Sequence, residues 1–386
     1  MKTKVILMAV VAAMASFTSC SKDETSIQDA KGTELVFSLA PKAGLTRADA
    51  GRDVYSSEAL QYVTDMKVYA FKKNADGNYV YTTVTTVETG NTPQSGYDIP
   101  WEKGDLKHEY KVTPKLEEND VYKFLAVGLD AGKTNFDELV LNDKKIEEIV
   151  LAIKASSKCR EAFAGISEEI TIPSSATQLK VNITLNRVVA GILGYFKNIP
   201  AKVADVDVKS VAVVMYTKPN TTVNLTTKVG SIPFSADTEK TLISLAIPAG
   251  ATVKDGIYEF TQTVPAGVKI VANSLIGGAF SMPMIAPTNG TYTLQVQLRD
   301  NGSKALKTWN VKIDTKQTGD TDDNLRLYSL KANHFYSIGK KVSDGSIVGP
   351  DPEKPDPDQP TDLSKDQDIV ITVNPAWETV HQMGIE

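Results

Sequence analysis

The sequence predicts a mainly β protein: two β-sandwich domains, a helical insertion in the first, and a detached strand at the C-terminus. Three observations carry this. Short runs rich in Val, Ile, Thr and aromatic residues recur along the chain, with Gly, Asn, Asp and Pro between them, a pattern of sandwiches rather than of a parallel α/β sheet. One segment, 134–153, instead places apolar residues near helical spacing. After Val348 the composition turns abruptly to Pro and Asp, and a strand-like run follows with no domain behind it.

The first element is a leader. Lys2 and Lys4 precede an apolar run over 5–15, too short to cross a bilayer, and the small residues of 16–19 lead to Cys20. That order is a secretory signal peptide over 1–19. Cys20, followed by Ser21-Lys22-Asp23-Glu24, resembles the end of a bacterial lipobox, with Phe17 where such signals usually carry Leu. Cys20 is therefore expected to be lipidated, palmitate included, and to become the first residue of an outer-membrane lipoprotein. The Lys-Asp-Glu run resembles the surface-export signal of Bacteroidota lipoproteins. The only other cysteine is Cys159, so no disulfide framework supports the exported chain and stability must come from buried apolar area. A length of 386 residues is enough for two domains at ~100–200 residues each. A net charge of −5 without basic clusters argues against nucleic acid as a partner.

Residues 20–47 read as a propeptide containing a strand, 34–41. Residues 48–176 form the first sandwich and 177–348 the second, with the boundary in the polar stretch 173–177 or up to about fifteen residues from it, because a strand near Arg187 could belong to either side. Within them, 66–71 and 79–84 flank the turn residues 74–78 as a hairpin, and 121–127 is apolar enough for a central strand. The runs 181–185, 210–216, 257–264 and 291–298 read as strands, the last forming a hairpin through Asn301-Gly302 with 309–313. The helix is capped by Thr134 or Asn135 and presents Phe136, Leu139, Val140, Ile146, Ile149, Val150 and Ile153. Residues 349–367 form a Pro/Asp spacer, extended and polyproline-like, that carries the tail 368–386.

The tail has a counterpart near the other end of the chain. Residues 34–41 and 368–375 match position by position: acid, aliphatic, Val, large apolar, hydroxyl, aliphatic, small, Pro. Strand alternation places Leu35, Phe37 and Leu39 on one face, and likewise Ile369, Ile371 and Val373, with Trp377 continuing the parity. Two such segments can compete for one groove. Between the first copy and the domain, a trypsin-like protease could cut between Arg47 and Ala48, removing lipid and strand together and opening an apolar groove for a neighbour's tail.

Catalytic and metal readings fail on inventory. His108, His334 and His381 are scattered without zinc spacing, and no nucleophile elbow, phosphate-cradling loop or HExxH occurs. Asp320-Thr321-Asp322-Asp323-Asn324 lacks the Gly and distal Glu of an EF-hand loop. Cys159 reads as a bland unpaired thiol. No cofactor or metal is expected, and the chain is not expected to be an enzyme.

The leader, the Leu45-Thr46-Arg47-Ala48 site, the Arg187-Val188-Val189-Ala190 run, the 333–338 strand, the Pro-Asp spacer and the Asn374-Pro375-Ala376-Trp377 tail resemble, in that order, those of the fimbrillin family. These are the type V pilins of Bacteroidota, including the FimA and Mfa-type fimbrillins. The resemblance spans essentially the whole chain. It implies two transthyretin-like sandwiches, processing by an Arg-specific surface protease, and polymerisation by C-terminal donor-strand exchange into an adhesive surface fimbria. The partners implied are other copies and related anchor and tip pilins. A shaft subunit is the first expectation, because an anchor should keep its lipid and lack a donor extension. A tip or accessory subunit is second. The other class is a monomeric surface lipoprotein that binds a glycan or host ligand through Trp101 or Trp309.

Overall fold

The structure is a computed structural model and describes residues 33–41, 46–47, 52–57, 60–61, 63–86, 92–101, 108–130, 134–175, 178–216, 220–228, 239–284, 294–313, 330–341, 343–345, 358–367, 369–374 and 377. The expected signal peptide, Cys20, the loop 320–324 and His381 lie outside them.

Seven principal strands build the first sheet: β1 (Glu34–Pro41), β2 (Val63–Lys73), β3 (Tyr79–Thr82), β4 (His108–Val112), β5 (Val121–Asp130), β6 (Ala162–Ile166) and β7 (Gln178–Arg187). They hydrogen-bond in the order β3-β2-β5-β6-β7-β1-β4. The β2–β3 hairpin forms because Asn74 Oδ1 accepts from the backbone N–H groups of Asp76 and Asn78, while Gly77 supplies the left-handed φ of 82°. β7 alternates as expected, with Val181, Ile183 and Leu185 buried and Lys180, Asn182 and Thr184 exposed. β1 is interior, not an edge.

The second sheet contains β8 (Ala190–Lys197), β9 (Ser210–Tyr216), β10 (Glu239–Ala246), β11 (Ser274–Ser281), β12 (Leu294–Arg299), β13 (Ala305–Ile313), β14 (Phe335–Ile338) and β15 (Ile369–Asn374). Its order is β10-β9-β12-β13-β15-β14-β8-β11. The β12–β13 hairpin closes where Asp300 Oδ1 accepts from the N–H groups of Gly302 and Lys304. Each sheet encloses its own apolar cluster, giving a mainly β, sandwich-like chain. The first cluster continues across the junction to Val188, Leu193, Tyr195, Phe280, Phe335 and Trp377.

Two expectations about the strands and helix change. The helical insertion is absent: among the described residues, 135–153 contains only the single 3₁₀ turn Ile146–Glu148. Asp143 takes a left-handed φ of 59°, Phe136 bridges to Ile153, and Val150–Ala152 pairs antiparallel with Thr222–Asn224 of the second half. Val140, which a helical stripe would bury, is exposed. Tertiary pairing of the β-branched stretch Ile149-Val150 overrides the near-helical spacing. The strand expected over 257–264 ends at Glu259. The strand near Arg187, which the sequence left open to either side of the boundary, is β7 and pairs within the first sheet.

The segment read as a free spacer is built into the fold over its described part, 358–367. Asp358 and Lys341 form an ion pair of 3.0 Å, both side chains fully buried. Lys340 and Gln359 exchange backbone hydrogen bonds of 2.8 and 2.7 Å, Thr361–Asp362 runs parallel to the end of β8, and Leu363 is buried. A Pro/Asp composition predicts extended backbone but says nothing about a buried lysine waiting for one of its carboxylates. Removing one member of such a pair strands the other. Asp358→Ala is expected to destabilise the chain by about 3–5 kcal/mol in urea unfolding, with a partial recovery when Lys341→Met is added.

Candidate functional site

The candidate site is the pair of strands that sequence matching singled out, β1 and β15. Each occupies an interior slot between one parallel and one antiparallel neighbour. β1 runs parallel to β7, with Leu35 opposite Leu179 and Leu39 opposite Ile183, and antiparallel to β4. β15 runs parallel to β13, with Ile369 opposite Val311, and antiparallel to β14, with Ile371 opposite Ile338. Leu35, Phe37 and Leu39 are fully buried in the first core, where Phe37 meets Phe124 edge-on at 5.2 Å. Ile369 and Ile371 are buried in the second core, and Thr372 is exposed. The side chain of Val373 lies outside the described residues.

Trp377 departs from the expected parity. It is buried, yet it joins the first core rather than the face of Ile369 and Ile371. The ladder stops at Asn374, and Pro375 has no N–H to continue it, so alternation no longer decides where position 377 lies. The indole sits between Phe335 at 5.0 Å and Phe280 at 5.8 Å, with the Arg187 guanidinium 4.2 Å above it. Arg187 also lies over Phe163 at 5.1 Å, and its Nε donates to Glu161 at 2.5 Å, both side chains fully buried. Sequence reasoning missed Arg187, Glu161 and Gly191 as part of this site. One signal was present: Arg187 continues the buried parity of Val181, Ile183 and Leu185 on β7.

Other expected positions are dispersed. The backbone of Thr46–Arg47 pairs with Leu60–Gln61, while the Arg47 side chain and Ala48 lie outside the described residues. Arg52, a second basic residue near the expected cleavage position, is tied to Asp344 at 2.7 Å, and Ser56 Oγ donates to the same carboxylate at 2.8 Å. Trp309 is buried, and Trp101 lines a cavity of about 560 Å³ with Tyr69 and Phe136. Burial lowers the pKa of His334, whose Nδ1 lies 2.8 Å from the Ala332 carbonyl oxygen. No group of three His, Cys, Asp or Glu side chains suited to a metal occurs among the described residues. Cys159 lines another cavity, of about 550 Å³, and loss of water around its thiol pushes the pKa up to about 12. No helix among the described residues is long and apolar enough to cross a membrane.

With the two slots described, the comparisons with known proteins decide the family. The model of the fimbrillin-A associated anchor proteins Mfa1 and Mfa2 matches residues 25–382. The chain belongs to that family.

A fimbrial or surface-adhesion role follows for a chain of this family. Among solved structures, the chain is similar to the fimbrial anchor protein Mfa2 from Porphyromonas gingivalis, at 10% identity over 80% of this chain and 90% of that one, with a TM-score of 0.41. It is also similar to a fimbrial assembly protein from Parabacteroides distasonis, at 12% identity over 82% and 93% of the two chains, with a TM-score of 0.35. No curated protein matches the sequence. The family is described as one of fimbrial anchor proteins.

Two predictions follow from the placement of these residues. Ile371→Asp puts an unpaired charge in an apolar site and is expected to cost several kcal/mol in thermal or urea unfolding, whereas Thr372→Asp, on an exposed position of the same strand, should stay within about 0.5 kcal/mol. Equal effects would contradict the assigned faces. Cys159 is expected to alkylate far more slowly than a free thiol at pH 8 and rapidly once unfolded, read peptide by peptide in the mass spectrometer.

Proposed function

We propose that the chain is a cell-surface fimbrial subunit of the anchor kind. In this reading it is exported as a lipoprotein through Cys20, held at the outer membrane by that lipid, and engages other pilin subunits while keeping β1 and β15 in its own sheets. The seat of the tail carries the reading: β15 lies inside the second sheet of the same chain, between β13 and β14. A subunit that donates its tail must first empty that slot, leaving two strand edges unpaired beside an apolar groove, a state prone to aggregation. A subunit at the base of a fimbria need not. The family description supports the same position. The shaft role expected from the sequence rested on Arg47 and on a tail read as a donor extension; a tail seated in its own sheet supports the anchor reading instead.

A second reading retains donor-strand exchange, and the likeness of the two slots favours it. Cutting between Arg47 and Ala48 by an Arg-specific surface protease would free β1 from between β7 and β4. That would leave one parallel and one antiparallel edge, the same combination that now holds β15. The tail of another copy or of a related pilin, with Ile369, Ile371 and Val373 in the places of Leu35, Phe37 and Leu39, matches such a gap by sequence.

Intact mass of the protein released from washed cell surfaces separates the two. The anchor reading expects lipid on Cys20, an uncut Arg47–Ala48 bond, and no change of mass or anchorage in Arg47→Ala. A mature N-terminus at Ala48, together with a non-boiled gel ladder that disappears in Arg47→Ala, would overturn it in favour of exchange.

A further inference from the structure

We propose that Gly191, Phe280, Phe335 and Arg187 form a tryptophan-accepting site whose ligand is the chain's own C-terminal tail, so that Trp377 latches β15 in place and ties it to the first half. The inference concerns the tail itself and holds for either assembly role.

The pocket is built from both halves. Gly191 lies on β8, Phe280 on β11 and Phe335 on β14, all in the second sheet, whereas Arg187 ends β7 of the first. A Cβ at residue 191 would collide with the Trp377 indole and the Phe335 ring, so only glycine leaves room for the ligand. The cation above the indole cannot move aside. Glu161 fixes its Nε, and the Phe163 ring also packs against it at 5.1 Å. The Trp377 indole N–H finds no acceptor among the described residues, so recognition comes from ring area and the guanidinium rather than from a hydrogen bond.

The consequence is coupling. β15 touches only second-sheet strands through its backbone, yet three residues beyond its end the chain is held by an arginine of the first sheet. Release of the tail then withdraws the aromatic cover from the buried Arg187–Glu161 pair, and opening of the junction removes the anchor of the tail. The two are one event.

Amide hydrogen exchange on the full-length chain tests this. Trp377→Ala is expected to speed exchange in 369–374 by about tenfold or more while 63–73 and 294–299 hold their protection. Gly191→Val, which fills the pocket and leaves the tryptophan, should act the same way. Trp377→Phe should stay close to wild type, since no hydrogen bond is lost. Unchanged exchange in 369–374 in Trp377→Ala, or a uniform rise across both sheets, would overturn the latch. Should the variants not fold, wild-type exchange in dilute urea decides: 369–374 and 186–191 are expected to open with one common denaturant dependence, and separate openings refute the proposal.

Discussion

β13 and β14 are not hydrogen-bonded to each other. Each presents a strand edge toward the other across the width of one strand, and on the core side Val311 and Ile338 face the same opening. Backbone N–H and C=O groups at such edges must be satisfied, and apolar side chains beside them must be covered. β15 does both, pairing parallel on one side and antiparallel on the other while Ile369 and Ile371 enter the core. The strand order of the second half depends on this insertion: without β15 the sheet separates into β10-β9-β12-β13 and β14-β8-β11. Completion of the second half thus waits on residues near the end of the chain.

That dependence explains how the preceding segment is built. A strand that closes a sheet late must be delivered to one register, because a one-residue slip would turn its apolar face outward. The chain meets this by fixing points along the approach: the buried Lys341–Asp358 pair, the Lys340–Gln359 bridge, the short parallel contact of Thr361–Asp362 with β8, and buried Leu363. Asp362 adds a further tie, accepting from the Asn198 side chain at 2.9 Å. The first half uses the same closure at the opposite end of the sequence, where β1 fills the space between β7 and β4.

How much of this was legible follows from what each signal depends on. The strands 34–41 and 369–374 and the two hairpins could be read because alternation and Asx turns are local properties of a few residues. The match between the two end strands also pointed to their shared kind of environment. Their partners could not be read, since parallel or antiparallel neighbours come from parts of the chain far away in sequence. The region 134–153 misled because Phe136, Ile146 and Ile149 fall near helical spacing, although their burial arises from a turn at Asp143 and from pairing with 222–224. Asp358 looked like one more solvated acid in a proline-rich run, and nothing near it in the sequence announces Lys341.

Arg187 and Trp377 show where a local pattern ends and a tertiary one begins. Arg187 keeps the buried parity of β7, so the sequence placed a full charge where three aliphatic residues had faced the core. Burying that charge is costly unless it is neutralised and hydrogen-bonded, and Glu161 supplies both from the residue preceding β6. The faces of a guanidinium remain weakly hydrated and favour aromatic contact. Phe163 packs against it from within the first sheet, and the second ring, that of Trp377, comes from the tail. A charge buried in the first half is thus completed by the same segment that closes the sheet of the second. The apolar packing that runs from Leu185 and Val188 through Phe335 to Trp377 is the physical expression of that shared requirement.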